Sequence, residues 1–256
     1  MRTEEYRDFD TQLATINRNF SHGLFLSEQF LIDNDQLIET NPETLTKDIF
    51  LKNQYRKNFN FRLKCISDEI KKYQKSSFMS FYIFIQSAFE LYIDSLYSRV
   101  NQILHDRLGK PKNIQNRSKQ EGTLQAICEG LNIRLTDILD QEELDTLDYL
   151  RLKRNCIVHA DGKPSDQLMN VLTKGQQLNA YWEVKRDKDK RTTLTALNFS
   201  SGEINQFDVK EIIETIIVLR DIAKKVDQSV LSFLNKEDIH QLYITRFQTT
   251  ICKIYN

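Results

Sequence analysis

Along residues 77–106 apolar side chains recur at helical steps: Phe78, Phe81, Tyr82, Ile85, Phe89, Tyr92, Ile93, Leu96, Val100 and Ile103. The band is too broad for a surface helix, which needs only one apolar stripe. An element of this kind must be covered on several sides, and that places it at the centre of a helical bundle. The rest of the chain agrees. Seven glycines and three prolines in 256 residues are well below the usual shares of about 7% and 5%, so helices can run long. With 40% hydrophobic and 28% charged residues, the chain is globular and large enough to bury a sizeable core. The expected fold class is all-α.

The first 33 residues read as a helix (Phe9, Leu13, Ile16, Phe20, Leu24, Leu26, Phe30) with Gly23 as a break. Asn41-Pro42-Glu43 reads as the opening of a second helix, and 62–75 continues helically. A short helix at 121–130 leads to another at 141–160, closed by Asp161-Gly162-Lys163-Pro164; Ser165 can cap a helix at 166–179. Around 181–199 the period changes. Trp182-Val184 and Thr193-Leu194-Thr195-Ala196 predict a small β-hairpin. Asp208 and Glu211 resemble a capping box. Beyond them Ile212, Ile216, Leu219, Ala223, Val226, Val230 and Phe233 form a seam that either packs inside the bundle or joins a second protomer. A last helix is expected over about 236–253. The domain reading is an N-terminal helical extension (1–75), a bundle (76–235) and a C-terminal helix (236–256).

The helix at 141–160 carries the candidate chemistry. With Leu144 at 0° and about 100° per residue, Leu147, Leu150 and Val158 fall at about 300°, 240° and 320°. Arg154, at about 280°, sits in the middle of that arc, with Asn155 and His159 flanking it at about 20° and 60°. A guanidinium keeps its charge and must find acceptors. A cation, an amide and a titratable imidazole thus share one side of a helix end. Arg151, at about 340°, lies near the site, whereas Lys153, at about 180°, points away from Arg154.

The stretch Arg154-Asn155-x-x-x-His159, preceded by charged residues and closing a helix, resembles the signature of the HEPN superfamily. These are helical bundles, many of them metal-independent endoribonucleases of toxin, phage-defence and CRISPR systems. The likeness is sharp over residues 141–165 and looser over the 77–106 helix, where such proteins often carry an acid; here it is Glu90. It implies a HEPN-like bundle with extra N-terminal helices, cutting RNA to 2′,3′-cyclic phosphate and 5′-hydroxyl ends. His159 would move the proton, Arg154 would stabilise the charged transition state, Asn155 would orient a phosphate or His159, and Glu90 would support them. One histidine cannot readily be both base and acid, so the resemblance implies a homodimer with two motifs facing one cleft. None of His22, His105 and His240 has an arginine five residues before it, as His159 has in Arg154.

Each assignment has a plainer counterpart. A histidine at a helix end can simply satisfy the dipole. Glu90, with Gln86 and Asp94 one turn either side, can be a solvated stripe, and Asp94 is the alternative acid if the register shifts by a turn. Arg151, Lys153, Lys110 and Lys112 are candidate RNA contacts. The last two belong to the basic stretch 107–119, and a second basic stretch spans 185–191; solvated surface is the other reading of both. Tyr181 and Trp182 can stack on a base or anchor core.

The formal net charge is zero, so no global field gathers nucleic acid and RNA binding must be local. Cys65, Cys128, Cys156 and Cys252 show no metal-ligand spacing and read as reduced, cytoplasmic thiols. No phosphate loop, dinucleotide fingerprint, cofactor motif or metal motif is expected, nor is a membrane span. The expected partners are RNA, a second copy of the chain and a regulatory protein. The rival reading is a non-catalytic HEPN-like module that holds a nucleotide or protein partner with the same residues. A purely structural coiled-coil dimer built on 209–234 leaves Arg154 unexplained.

Overall fold

A computed structural model describes residues 2–108, 120–159, 163–188, 197, 199 and 209–234. Among these the protein is all-α, with eight helices and no strand: α1 (Glu4–Thr40), α2 (Thr46–Ile49), α3 (Ile66–Leu108), α4 (Gln120–Leu131), α5 (Gln141–His159), α6 (Asp166–Leu172), α7 (Gly175–Lys188) and α8 (Val209–Phe233).

The broad apolar band of α3 has the consequence expected of it: α1, α4, α5 and α8 all pack on this helix. Aromatic pairs set the register against α1. Phe9 meets Phe89 and Tyr92, Phe20 meets Phe78 and Phe81, and Arg99 bonds Glu5 at 3.0 Å, so α1 and α3 run antiparallel. α8 lies antiparallel to α1, tied by Arg220 to Asp10 at 2.6 Å and by Asp227 to Thr3. Asp227 is fully buried; it accepts from the Thr3 N–H at 3.2 Å and from the Thr3 hydroxyl, which itself caps α1 by accepting from the Tyr6 N–H at 3.1 Å. Against α5 the direction is parallel: the Tyr82 hydroxyl donates to the Leu150 carbonyl at 3.0 Å, and Glu90 stands beside Arg154 two turns on. The seam of α8, Ile212 through Val230, is buried within this bundle, which chooses between the two uses the spacing left open.

Several local expectations are corrected. α1 runs unbroken through Gly23, whose missing Cβ would meet nothing within 4 Å. Asn41 ends α1, its N–H donating to the Leu37 carbonyl, rather than opening a helix. Between α1 and α3 the chain makes turns, the four-residue α2 and one bridge between Leu45 and Arg62. The boundary at 75 falls inside α3, and Tyr6, Phe9, Leu13 and Phe20 of α1 belong to the common core. The first strand of the expected hairpin is helical instead: Leu178, Trp182 and Lys185 recur at helical steps and face α5. Thr193–Ala196, Asp208 and the 236–256 segment lie outside the described residues. No helix among the described residues is long and apolar enough to cross a membrane.

Candidate functional site

Asp140 starts α5. Its carbonyl accepts from the N–H groups of Glu143 and Leu144, and Glu143 Oε2 accepts the Asp140 N–H at 3.0 Å, one half of a capping box. Glu143 is fully buried because two lysines reach it, Lys185 from α7 and Lys225 from α8, the latter at 2.8 Å. Tyr181 donates to Asp140 at 2.5 Å; burial, then the adjacent carboxylates, keep its hydroxyl protonated well above the ordinary phenol range. Trp182 is 3% exposed and donates to Thr146 Oγ1 at 2.9 Å. Trp182 is therefore a core anchor rather than a base-stacking platform, and Lys185 is an internal counter-ion rather than part of a solvated basic loop. These bonds fix the start of α5 and its rotation.

The rotation differs from the one expected. Val158, counted into the apolar arc, is 43% exposed, while Tyr149, Leu152 and Cys156 on the other side are buried. The buried face is therefore centred on Lys153, not on Arg154. Lys153 is 1% exposed and ion-pairs with Glu211 at the start of α8; its ammonium lies 3.4 Å from the Tyr149 hydroxyl and 5.7 Å from the Tyr82 ring centroid. This corrects the assignment of Lys153 as an RNA contact. Burial holds the Tyr82 and Tyr149 hydroxyls well above their usual titration range, so both remain neutral beside the pair. Glu211, expected to close a cap, is spent on Lys153.

Arg154 sits at the rim of that face, 24% exposed. Nη1 donates to Asn155 Oδ1 at 3.2 Å, and Nη2 lies 3.9 Å from Glu90 Oε2. That separation exceeds a hydrogen bond but is close enough for charge attraction. Nε is buried without an acceptor among the described residues. The donors left for a phosphate oxygen are therefore on the Nη nitrogens, of which one N–H is spent on Asn155, and not on the buried Nε. Both Arg154 and His159 lie near the C-terminal end of α5, where the helix dipole favours positive charge.

Of the expected site residues, the fold gathers Arg154, Asn155 and Glu90. Glu90 rather than Asp94 is the acid at Arg154; Asp94 lines a groove between α1 and α3. His159 ends α5 exposed, with no hydrogen bond or ion pair among the described residues. It stands one helical turn from Asn155, on the same strip of surface, so Asn155 lies between the arginine and the imidazole. Arg151 is mostly buried and bonded to Asp148 one turn back. Lys110 and Lys112 lie outside the described residues.

One group went unremarked as a site residue. Gln86 is fully buried on α3, one turn before Glu90, and neither its amide oxygen nor its nitrogen has a partner among the described residues. Its signal was the four-residue spacing Tyr82-Gln86-Glu90, which puts three polar-tipped side chains on one strip of an apolar helix. Among the described residues no group of three or more His, Cys, Asp or Glu side chains comes together to hold a metal, and Cys65, Cys128 and Cys156 are free thiols. Comparison of the chain with protein-family models, with curated proteins and with solved structures finds no match.

Proposed function

We propose that this chain is a HEPN-like, metal-independent endoribonuclease of the cytoplasm, acting in a toxin or antiviral-defence setting. The observation that carries the reading is Arg154: a rim guanidinium held by Glu90 and Asn155 that retains unused donors, with an exposed His159 one turn beyond on the same helix. In the proposed reaction His159 takes the proton of a ribose 2′-hydroxyl. The 2′-oxygen bonds to the adjacent phosphorus, the bond from phosphorus to the 5′-oxygen breaks, and that oxygen receives a proton. A 2′,3′-cyclic phosphate and a 5′-hydroxyl result. Arg154 donates to the phosphoryl oxygens as charge builds there. Asn155 orients Arg154 through its carbonyl and has its amide nitrogen left for phosphate or for His159. Glu90 positions Arg154.

Because the chain supplies one such histidine, the second proton-transfer group is His159 of the partner subunit in a homodimer. Arg151, already bonded to Asp148, is a secondary contact for the RNA backbone. Lys110 and Lys112 remain proposed contacts on sequence grounds alone.

The test uses purified wild-type and His159→Ala protein with total cellular RNA in EDTA, followed by mapping of the ends. Discrete cuts bearing cyclic-phosphate ends, lost in the variant, are expected. Wild-type protein that is demonstrably dimeric, binds RNA and does not cut it would favour the non-catalytic binding module instead.

A further inference from the structure

At the end of the molecule away from the motif, the second half of α1, the start of α3 and the connection between them line a half-open cavity of about 670 Å³. That volume lies within the range of roughly 300–1,000 Å³ typical of small-molecule sites. The walls are apolar and largely aromatic: Leu26, Phe30, Phe50, Phe59, Phe61 and Tyr73. Two of these are held by Thr46. Its N–H donates to the Phe61 carbonyl at 2.8 Å, its hydroxyl accepts from the Phe61 N–H at 3.1 Å, and the same hydroxyl donates to the Phe59 carbonyl.

Three charged side chains stand in the lining. Lys72 and Glu69 neutralise one another at 2.6 Å. Arg56 is half-buried and its guanidinium has neither an acid nor an acceptor among the described residues. A guanidinium cannot discharge by losing a proton. The cavity thus combines an apolar body with one uncompensated positive charge. At the rim Phe59 and Tyr73 remain exposed, as apolar groups around binding sites often do.

We propose that this cavity binds a small organic anion, its apolar body against the phenyl rings and its anionic head on Arg56. Concavity and fixed walls favour a small molecule over a protein surface, which meets flatter ground. From Tyr73 to Glu90 α3 rises about 25 Å at 1.5 Å per residue. The site is separate from the motif and stands whatever the motif does.

The test compares two fluorescent probes, 1-anilinonaphthalene-8-sulfonate and the neutral N-phenyl-1-naphthylamine, on the full chain. Both bind once per chain in the wild type. Arg56→Gln weakens the sulfonate roughly tenfold, equivalent to about 1.4 kcal/mol, and leaves the neutral probe within about twofold. Ile70→Trp fills the cavity and removes both, with circular dichroism verifying that each variant is folded. Three results overturn the proposal: an equal effect of Arg56→Gln on both probes, binding that does not saturate at one per chain, or self-association in sedimentation that Ile70→Trp abolishes.

Discussion

Replacing Lys153 by methionine keeps the unbranched stem that fills its space between α5, α3 and α8 and removes only the ammonium. Glu211, 5% exposed, then loses the cation that faces it in the core. Deleting one partner of a buried ion pair costs about 3–5 kcal/mol, because the remaining charge cannot be rehydrated without opening the fold. In a chain of this length each kcal/mol corresponds to about 2–4 °C, so a fall of roughly 6–20 °C in Tm is expected. Urea titration followed by far-ultraviolet circular dichroism reads the loss as a shift in midpoint, with the slope unchanged if the denatured state is not altered. The double replacement Lys153→Met with Glu211→Met recovers at least half of the loss, since apolar groups of similar volume often replace a buried pair without penalty. A single-variant cost below about 1 kcal/mol, the level of an exposed pair, would refute the placement of Lys153 in the core.

Two further outcomes follow from other contacts. Glu90→Gln removes a charge that is one-third exposed, so folding stability changes by less than about 1 kcal/mol; if Glu90 positions Arg154, cleavage falls roughly tenfold, the equivalent of 1.4 kcal/mol at the transition state, while RNA binding measured by filter retention holds. Unchanged cleavage by that variant removes Glu90 from the site. Asp227 gives a pH dependence of unusual sign: burial raises its folded pKa above the ordinary carboxyl value of 3.8, against the opposing hydrogen bonds from Thr3. The folded state then binds more protons than the unfolded state, so this residue's contribution to stability is fully present below that value and is lost as pH rises through the folded pKa. Urea midpoints measured from pH 3 upward should fall for the wild type relative to Asp227→Asn; parallel curves refute the assignment.

What the sequence made legible was set by the length and breadth of its patterns. The centrality of α3 could be read because its band wraps beyond one face, and the end of α5 because a Gly-Pro stop follows the motif. The rotation of α5 could not be read from Leu147, Leu150 and Val158 alone. Tyr149, Leu152 and Cys156 complete a wider buried face, and a lysine occupies its centre. A helix buried over more than half of its circumference leaves only a narrow polar strip to betray its orientation, and a buried charge inverts the usual cue. The same cause misassigned Trp182 and Lys185: an aromatic and a β-branched residue before a charged run read as a strand. Yet Leu178, Trp182 and Lys185 hold the helical step, and the lysine is drawn inward by Glu143. Glu90 could be singled out because an acid is conspicuous within the broad apolar band of α3. The approach of Arg154 to it depended on the α3–α5 register, which hangs on the bond from Tyr82 to the Leu150 carbonyl and has no local sequence signal.

The neighbouring residues Lys153 and Arg154 point about 100° apart on α5, so fixing one fixes the other. An apolar face alone tolerates small rotations of a helix in its groove, because contacts between aliphatic groups have little direction. A buried ammonium bound to a carboxylate on α8, with a tyrosine hydroxyl beside it, does not. The inward pair therefore sets the direction in which Arg154 leaves the bundle, toward Glu90, with Asn155 alongside and His159 one turn further along. Stability and orientation come from the same pair but are separable. In the double methionine variant the core is filled and stability returns. The directional restraint is gone, so the hold on Arg154 rests on Glu90 at 3.9 Å and on Asn155 alone. Under the proposed nuclease reading, a folded double variant that cleaves RNA less well than the wild type is the outcome this division of labour requires. One that cleaves equally well leaves the buried pair with no role in the site.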